Sequence, residues 1–231
     1  MIQEPGRIRA LFFDYGGTLD AQGIAWRDRF YPLYLQAGLD IEPEVFARAF
    51  YASDDSLVDE NPVHLNLSGI VHEQVRRVLD HLGVEDDRLV RKISSQFLRD
   101  SFASIEKNIP VLKSLKRHFR LGIISNNYGN LENICRETGL DALMDVMVDS
   151  NLVGHVKPDP RIFNAGLDAL EVEPARSVMV GDSLARDIRG AEAIGMHPVW
   201  LKGPNTNEAG QTIAGCRVIS GLGEIPALLG L

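Results

Sequence analysis

The chain has 231 residues, 45% of them hydrophobic and 24% charged, with a formal net charge of −8. That length admits one large domain, or a core domain carrying an insertion, and the composition is that of an ordinary globular protein. The acidic surplus argues against non-specific nucleic-acid binding, but not against an anionic small molecule held in a locally positive site.

Ile8–Phe13 is a short, continuous apolar run and reads as a buried strand. From about Ala21 to Asn108 the character changes to aromatics and aliphatics at helical spacing. Trp26, Phe30, Leu33 and Tyr34 form one stripe, and Val45, Phe46, Ala49 and Phe50 a second after Pro43. Ile70, Val71, Val75, Val78, Leu79 and Leu82 form a third, and Leu89, Ile93, Phe97 and Leu98 a fourth. The block is expected to be all-helical, with Trp26, Phe30, Tyr31 and Tyr34 in its core. Arg27, Arg29, His64 and Asn66 are its polar candidates for facing a substrate.

From Pro110 onward, helix and strand signals alternate. Helices are expected at Val111–Phe119, Gly129–Thr138, Pro160–Leu170, Ala185–Ile194 and Gly221–Leu229. Strands are expected at Leu121–Ser125, Met144–Val148, Ser177–Val180, His197–Leu201 and Arg217–Ile219. Such alternation implies right-handed βαβ units and a mostly parallel sheet. The fold class is therefore α/β.

Polar groups sit at the strand ends. Asp14 closes the first strand, Ser125-Asn126-Asn127 follows the second, and Asp182 and Asp187 follow Val178–Val180. Lys157 lies in the loop His155–Pro160. In a parallel sheet the C-terminal strand ends share one edge, so these groups can converge. Taken singly, each has an ordinary reading as a turn, a helix cap or a surface charge. Together they suit phosphoryl transfer, which needs a nucleophile, a metal and donors for the transferring group. Asp14 could attack phosphorus and form an acyl phosphate. A hard cation such as Mg²⁺ would use Asp14, Asp182 and the Gly16 carbonyl. Ser125 would donate its hydroxyl to phosphate, and Lys157 would supply a point charge that also offsets neighbouring carboxylates.

The stretch Phe12-Phe13-Asp14-Tyr15-Gly16-Gly17-Thr18-Leu19 resembles the first motif, DxDGT, of the haloacid dehalogenase-like (HAD) hydrolases. Ile123-Ile124-Ser125-Asn126 resembles the second motif, and Lys157-Pro158-Asp159-Pro160-Arg161-Ile162-Phe163 the third. The run from Val180 to Ala191, with Gly181-Asp182-Ser183 and Asp187, resembles the fourth. The resemblance covers the chain from about Arg7 onward, outside the helical block. It implies a Rossmann-like three-layer core, residues 1–20 and 109–231, with a helical cap, residues 21–108, inserted after the first motif. It also implies a Mg²⁺-dependent phosphatase of small phosphorylated metabolites. Asp14 would be nucleophile and metal ligand, with Asp182 a ligand and Asp187 metal-linked. Ser125, Asn126, Gly17 and Lys157 would hold the phosphate.

One position departs from the pattern. Family phosphatases carry an acid two residues after the nucleophile, which protonates the leaving group; here Gly16 stands there. Asp20, His64, His72 or the substrate itself are the candidates to replace it. Without a replacement the chain would be a catalytically weakened binding or regulatory protein. A 2-haloacid dehalogenase needs no such acid, but it also needs no metal-type Gly181-Asp182-Ser183. A phosphonatase would use a cap lysine, and the block holds only Lys92 and Lys107. The two cysteines, Cys135 and Cys216, lack CxxC spacing and read as reduced thiols. No apolar run approaches the roughly 20 residues of a membrane span, and Met1–Arg9 has no signal-type apolar region. A cytoplasmic protein, monomeric or homodimeric, with neither nucleic-acid nor membrane partner is expected.

Overall fold

Strand β1 (Ala10–Phe13) is buried at every position, as a strand covered on both faces must be. In a computed structural model, which describes residues 5–204 and 215–231, it lies inside a six-stranded sheet of order β3-β2-β1-β4-β5-β6. The other strands are β2 (Arg120–Ser125), β3 (Val146–Asp149), β4 (Ser177–Gly181), β5 (His197–Leu201) and β6 (Arg217–Ile219). Every pairing is parallel, so the mostly parallel sheet expected from the alternation is wholly so among the described residues.

Alternation along β1 divides the core into two layers. Leu11 and Phe13 join the larger cluster, with residues of the helical block and of α5 (Leu131–Thr138). Ala10 and Phe12 face the other way, onto Ile162, Phe163 and Leu167 of α7 (Pro160–Ala169) and Ala191 of α8 (Arg189–Ala193). The result is a three-layer, Rossmann-like α/β arrangement. Short helices α6 (Ser150–Val153) and α9 (Ile225–Leu228) complete it.

The helical block contains α1 (Trp26–Gln36), α2 (Pro43–Glu60), α3 (Leu67–His81) and α4 (Asp87–Lys116). Its aromatics pack as expected: Phe30 stacks on Phe97 at 3.8 Å, and Tyr34 meets Phe46 at 5.1 Å. The stripes at Leu89–Leu98 and Val111–Phe119, expected as separate helices, belong largely to the single 30-residue α4. Pro110 lies inside it, where a missing N–H and the ring normally interrupt a helix. Buried Leu112 and Leu115 beyond it keep the helix packed on the sheet. The expected helix Ala185–Ile194 is present as a wide helical turn, Leu184–Ile188, that runs directly into α8. No helix among the described residues is long and apolar enough to cross a membrane.

Candidate active site

The strand order sets the C-terminal ends of β2, β1 and β4 side by side, and the polar groups at those ends converge. The Asp14 N–H donates to Val180 O at 2.9 Å, which ties the loop after β1 to β4. Asp14 is 6% exposed, and its Oδ1 accepts from Lys157 Nζ at 2.7 Å. The same ammonium lies 2.6 Å from Asp187 Oδ1 and donates to Ile124 O at 2.8 Å. Burial works against the Lys157 charge, but Asp14 and Asp187 outweigh it and hold its pKa above the ordinary lysine value.

Asp14, Asp182 and Asp187 each offer a carboxylate oxygen, all within 4.8 Å of one another. Burial first, then the negative charges of Asp14 and Asp187, push the Asp182 carboxyl well above the usual carboxylate range. Asp187 moves the same way through burial, with Lys157 opposing. The three buried carboxylates outnumber the two cations beside them, Lys157 and Arg186, and present hard oxygen donors. That donor set fits Mg²⁺.

Local backbone chemistry makes the cluster possible. Gly17 has φ +93°, and a Cβ there would lie 2.5 Å from Asp182 Oδ2, so only glycine lets that carboxylate close on the loop. Thr18 Oγ1 donates to Asp182 Oδ1 at 3.3 Å, and Trp200 Nε1 to its backbone oxygen at 2.9 Å. The Gly17 N–H donates to Asp20 Oδ1 at 2.8 Å. That donor thus braces the loop, where the sequence suggested a phosphate contact.

The loop after β2 forms one wall. Ser125 and Asn127 are buried. Asn126 exchanges two hydrogen bonds with the Lys157 backbone, donating to its oxygen at 3.2 Å and accepting from its N–H at 2.7 Å. Its amide therefore positions Lys157. Asn127 offers the freer donor, since its buried Nδ2 has no partner among the described residues. Asp149, at the end of β3, accepts from the Gly129, Leu131 and Asn151 N–H groups and holds this loop in shape.

The candidates for the missing acid sort clearly. Asp20 is wholly buried beneath the loop and engaged by Trp26 Nε1 at 2.8 Å, Arg29 at 2.7 Å and Ser101 Oγ at 3.3 Å. It is a brace with no open face. His64 is exposed in a separate surface depression with Asn133 and Glu137, and His72 is exposed on α3. Asn66 caps α3, accepting from the Gly69 N–H at 2.9 Å. Arg29 serves Asp20, which leaves Arg27 as the polar candidate that reaches the site. A Cβ at Gly16 would lie 3.3 Å from Trp26 Nε1, so the indole crowds that position.

Asp14 opens on a cavity of about 150 Å³, lined also by Ser125, Asn127, Tyr128, Trp26, Asp54 and Arg186 among others. It shares Ala25, Arg27 and Arg186 with a wider cleft of about 810 Å³ that reaches Asp182. Asp54 (on α2), Tyr128 and Arg186 were not singled out from the sequence. A signal existed for Asp54: it is four residues after Phe50 and three before Leu57, both buried, so it lies near the inward face of α2.

Residues 8–195 match the family model for haloacid dehalogenase-like hydrolases. The chain is 32% identical over 178 residues to the haloacid dehalogenase-like hydrolase domain-containing protein 3 of Bos taurus, covering 72% of this chain and 71% of that one. It is also 32% identical to the glyceraldehyde 3-phosphate phosphatase of Methanothermobacter thermautotrophicus, over 84% of this chain and 85% of that enzyme. The magnesium-bound HAD hydrolase YfnB of Bacillus subtilis shares the fold at 20% identity and a TM-score of 0.60, covering 97% and 100% of the two chains. The catalytic-type strand ends, the helical block after the first of them and the matching family model place this chain among the haloacid dehalogenase-like hydrolases.

Proposed function

We propose that the chain is a Mg²⁺-dependent phosphohydrolase of small phosphorylated metabolites that works through an aspartyl phosphate at Asp14. The observation that carries this reading is the buried Asp14–Asp182–Asp187 cluster around Lys157, beside a cavity of about 150 Å³ that Asp14 and Lys157 line. A relative named for glyceraldehyde 3-phosphate hydrolysis supports the phosphomonoester class.

Each side chain then has a task. Asp14 attacks phosphorus, and the leaving oxygen departs on the opposite side. Lys157 and the donors of Ser125 and Asn127 hold the phosphoryl oxygens and stabilise charge that grows in the transition state. Asn126 keeps the Lys157 backbone in register. Asp14, Asp182, Asp187 and the Gly16 carbonyl would hold Mg²⁺, which when bound neutralises phosphoryl charge. The sheet domain would act as the core and the helical block as a cap that excludes water, with the division between them falling within α4 rather than at residue 108. Cys135 and Cys216 are both unpaired, in keeping with a cytoplasmic setting.

The test is hydrolysis of p-nitrophenyl phosphate and acetyl phosphate with and without Mg²⁺, beside Asp14→Asn. Turnover that needs Mg²⁺ and disappears in Asp14→Asn is the expected result. A native chain inert towards both substrates would overturn the reading. A second reading, a catalytically weakened binding protein, draws on Gly16 alone, and that inert outcome would favour it.

A further inference from the structure

The reaction at Asp14 needs a proton for its leaving group, and the position that usually supplies one carries no side chain. Two features of the cavity bear on this. Asp54, partly buried on α2, lines the same 150 Å³ cavity as Asp14, Ser125 and Lys157. Tyr128, from the loop after β2, donates its hydroxyl to Asp54 Oδ1 in a short hydrogen bond that spans the helical block and the sheet domain. Tyr128 is itself fixed: its N–H donates to Asn127 Oδ1 at 3.0 Å, and the Asn127 backbone is held by Ser150 Oγ, also at 3.0 Å.

We propose that Asp54 is the general acid of this enzyme, delivered by the helical block and oriented by Tyr128, in place of the side chain absent at Gly16. This rests on the phosphohydrolase reading above. The placement is chemically apt. In-line attack by Asp14 sends the leaving group away from that carboxylate and into the cavity whose lining also includes Asp54 of α2. Trp26 crowds the usual position, and Asp20, His64 and His72 are not among the residues lining the cavity. Among the described residues lining the cavity, the carboxyl side chains are Asp14 and Asp54. Burial raises the Asp54 carboxyl from its ordinary value, and the Tyr128 hydrogen bond opposes that rise. Asp55 adds to that rise, and Arg186 opposes it.

The proton balance closes. In the first step an Asp14 oxygen bonds to phosphorus and the bond to the leaving oxygen breaks. That oxygen keeps the electron pair and takes the Asp54 proton, leaving as an alcohol and an ionised Asp54. In the second step water attacks phosphorus and Asp54 takes one of its protons. The bond to Asp14 breaks, which regenerates the Asp14 carboxylate and protonated Asp54 and releases hydrogen phosphate.

The experiment is a leaving-group comparison. Native, Asp54→Asn, Asp14→Asn and Tyr128→Phe proteins are assayed in Mg²⁺ on p-nitrophenyl phosphate and phenyl phosphate, which differ in how much they need a proton. Asp54→Asn is expected to lower kcat for phenyl phosphate by about 10²-fold or more, and for p-nitrophenyl phosphate by less than about tenfold. Tyr128→Phe should shift the same ratio in the same direction, by less. Equal losses on both substrates, or no loss, would overturn the role of Asp54 while the Asp14 control keeps the phosphohydrolase reading intact. A native protein inert on both substrates, or an active Asp14→Asn, would instead remove that reading and this proposal with it. Far-ultraviolet circular dichroism and thermal melting of each variant separate a misfolded Asp54→Asn from an acid-deficient one. If that variant is misfolded, the ratio in Tyr128→Phe decides alone, an unchanged ratio counting against Asp54.

Discussion

Lys157 Nζ lies 2.7 Å from Asp14 Oδ1, with both side chains almost wholly out of solvent. A buried ion pair stabilises little in net terms, but removing one partner leaves an uncompensated charge. Here Asp187, 2.6 Å from the same ammonium, doubles that exposure to imbalance. Lys157→Met keeps the chain's bulk and removes the charge. It is expected to lower stability by about 3–5 kcal/mol without metal. Urea unfolding with and without Mg²⁺ checks this. The deficit should shrink when Mg²⁺ is present, and an equal deficit in both conditions would disconnect Lys157 from the acidic cluster.

Gly17 allows a paired comparison. Gly17→Ala meets two obstacles, a left-handed φ of +93° and Asp182 Oδ2 at 2.5 Å. Gly154→Ala meets only the first, since its φ is +72° with open space around it. The control should lose about 1–2 kcal/mol of stability from left-handed strain. Gly17→Ala should lose more, and its Mg²⁺ affinity by titration calorimetry should fall at least tenfold. Equal stability losses and unchanged Mg²⁺ binding would separate Gly17 from the cluster.

Restoring the missing acid at its usual place is expected to do little. Gly16 has φ −74°, so the backbone accepts a side chain. The obstacle is the Trp26 indole, 3.3 Å from the new Cβ and fastened to Asp20 by a 2.8 Å hydrogen bond. Gly16→Asp should raise kcat by less than about tenfold, well short of the 10²–10⁴ a placed general acid gives. Steady-state kinetics measures this, and tryptophan fluorescence reports the displaced indole.

Asp20 should behave as structure. It accepts from Gly17 N–H, Trp26 and Arg29, and Arg29 in turn stacks over Phe97 at 4.0 Å. Asp20→Asn strands a nearly buried guanidinium and is expected to lower stability by about 3–5 kcal/mol. Chemical denaturation measures this. A variant of native stability with turnover abolished would restore Asp20 as a catalytic candidate.

The acid limb of stability has a surface contributor on α3. Hydrogen bonds from Arg76, and then Arg77, hold the Glu73 carboxyl down at about 2. The folded value is below the unfolded one of about 4.3, so the stabilisation is complete above that pH. It is lost as pH falls through that window towards about 2. Solvent screening limits it to about 0.5–1 kcal/mol. The stability difference between native and Glu73→Gln, followed by thermal unfolding from pH 6 to pH 2, should narrow over that window. A difference constant across it would rule out the shift.

Much of the fold was legible because hydrophobic period and chain punctuation are local. The apolar run before Asp14, the run before Ser125 and the run before Asp182 each end at a polar residue, and parallel strands carry those ends to one edge by topology alone. Hence Asp14, Lys157, Asp182 and Asp187 could be named together although they are far apart in the chain. Local signals also misled locally. The Leu89 and Val111 stripes read as separate helices because Pro110 reads as a break, yet packing on the sheet carries one helix through it.

The roles that depend on who faces whom belonged to the tertiary structure. Asn126 and Asn127 are neighbours of one residue type, but the first is engaged by the Lys157 backbone and the second keeps a free donor. Asp20 lies nearer Asp14 in sequence than Asp54 does, yet Asp20 is sealed under the loop while Asp54 faces the cavity. Sequence by itself determined the sheet, the helical block and the acidic strand ends, because each rests on short-range pattern and on the geometry of parallel strands. Only the tertiary structure decided which further carboxyl shares the cavity with Asp14. That depends on how α2 meets the loop after β2, a contact between residues 54 and 128 that no local pattern encodes.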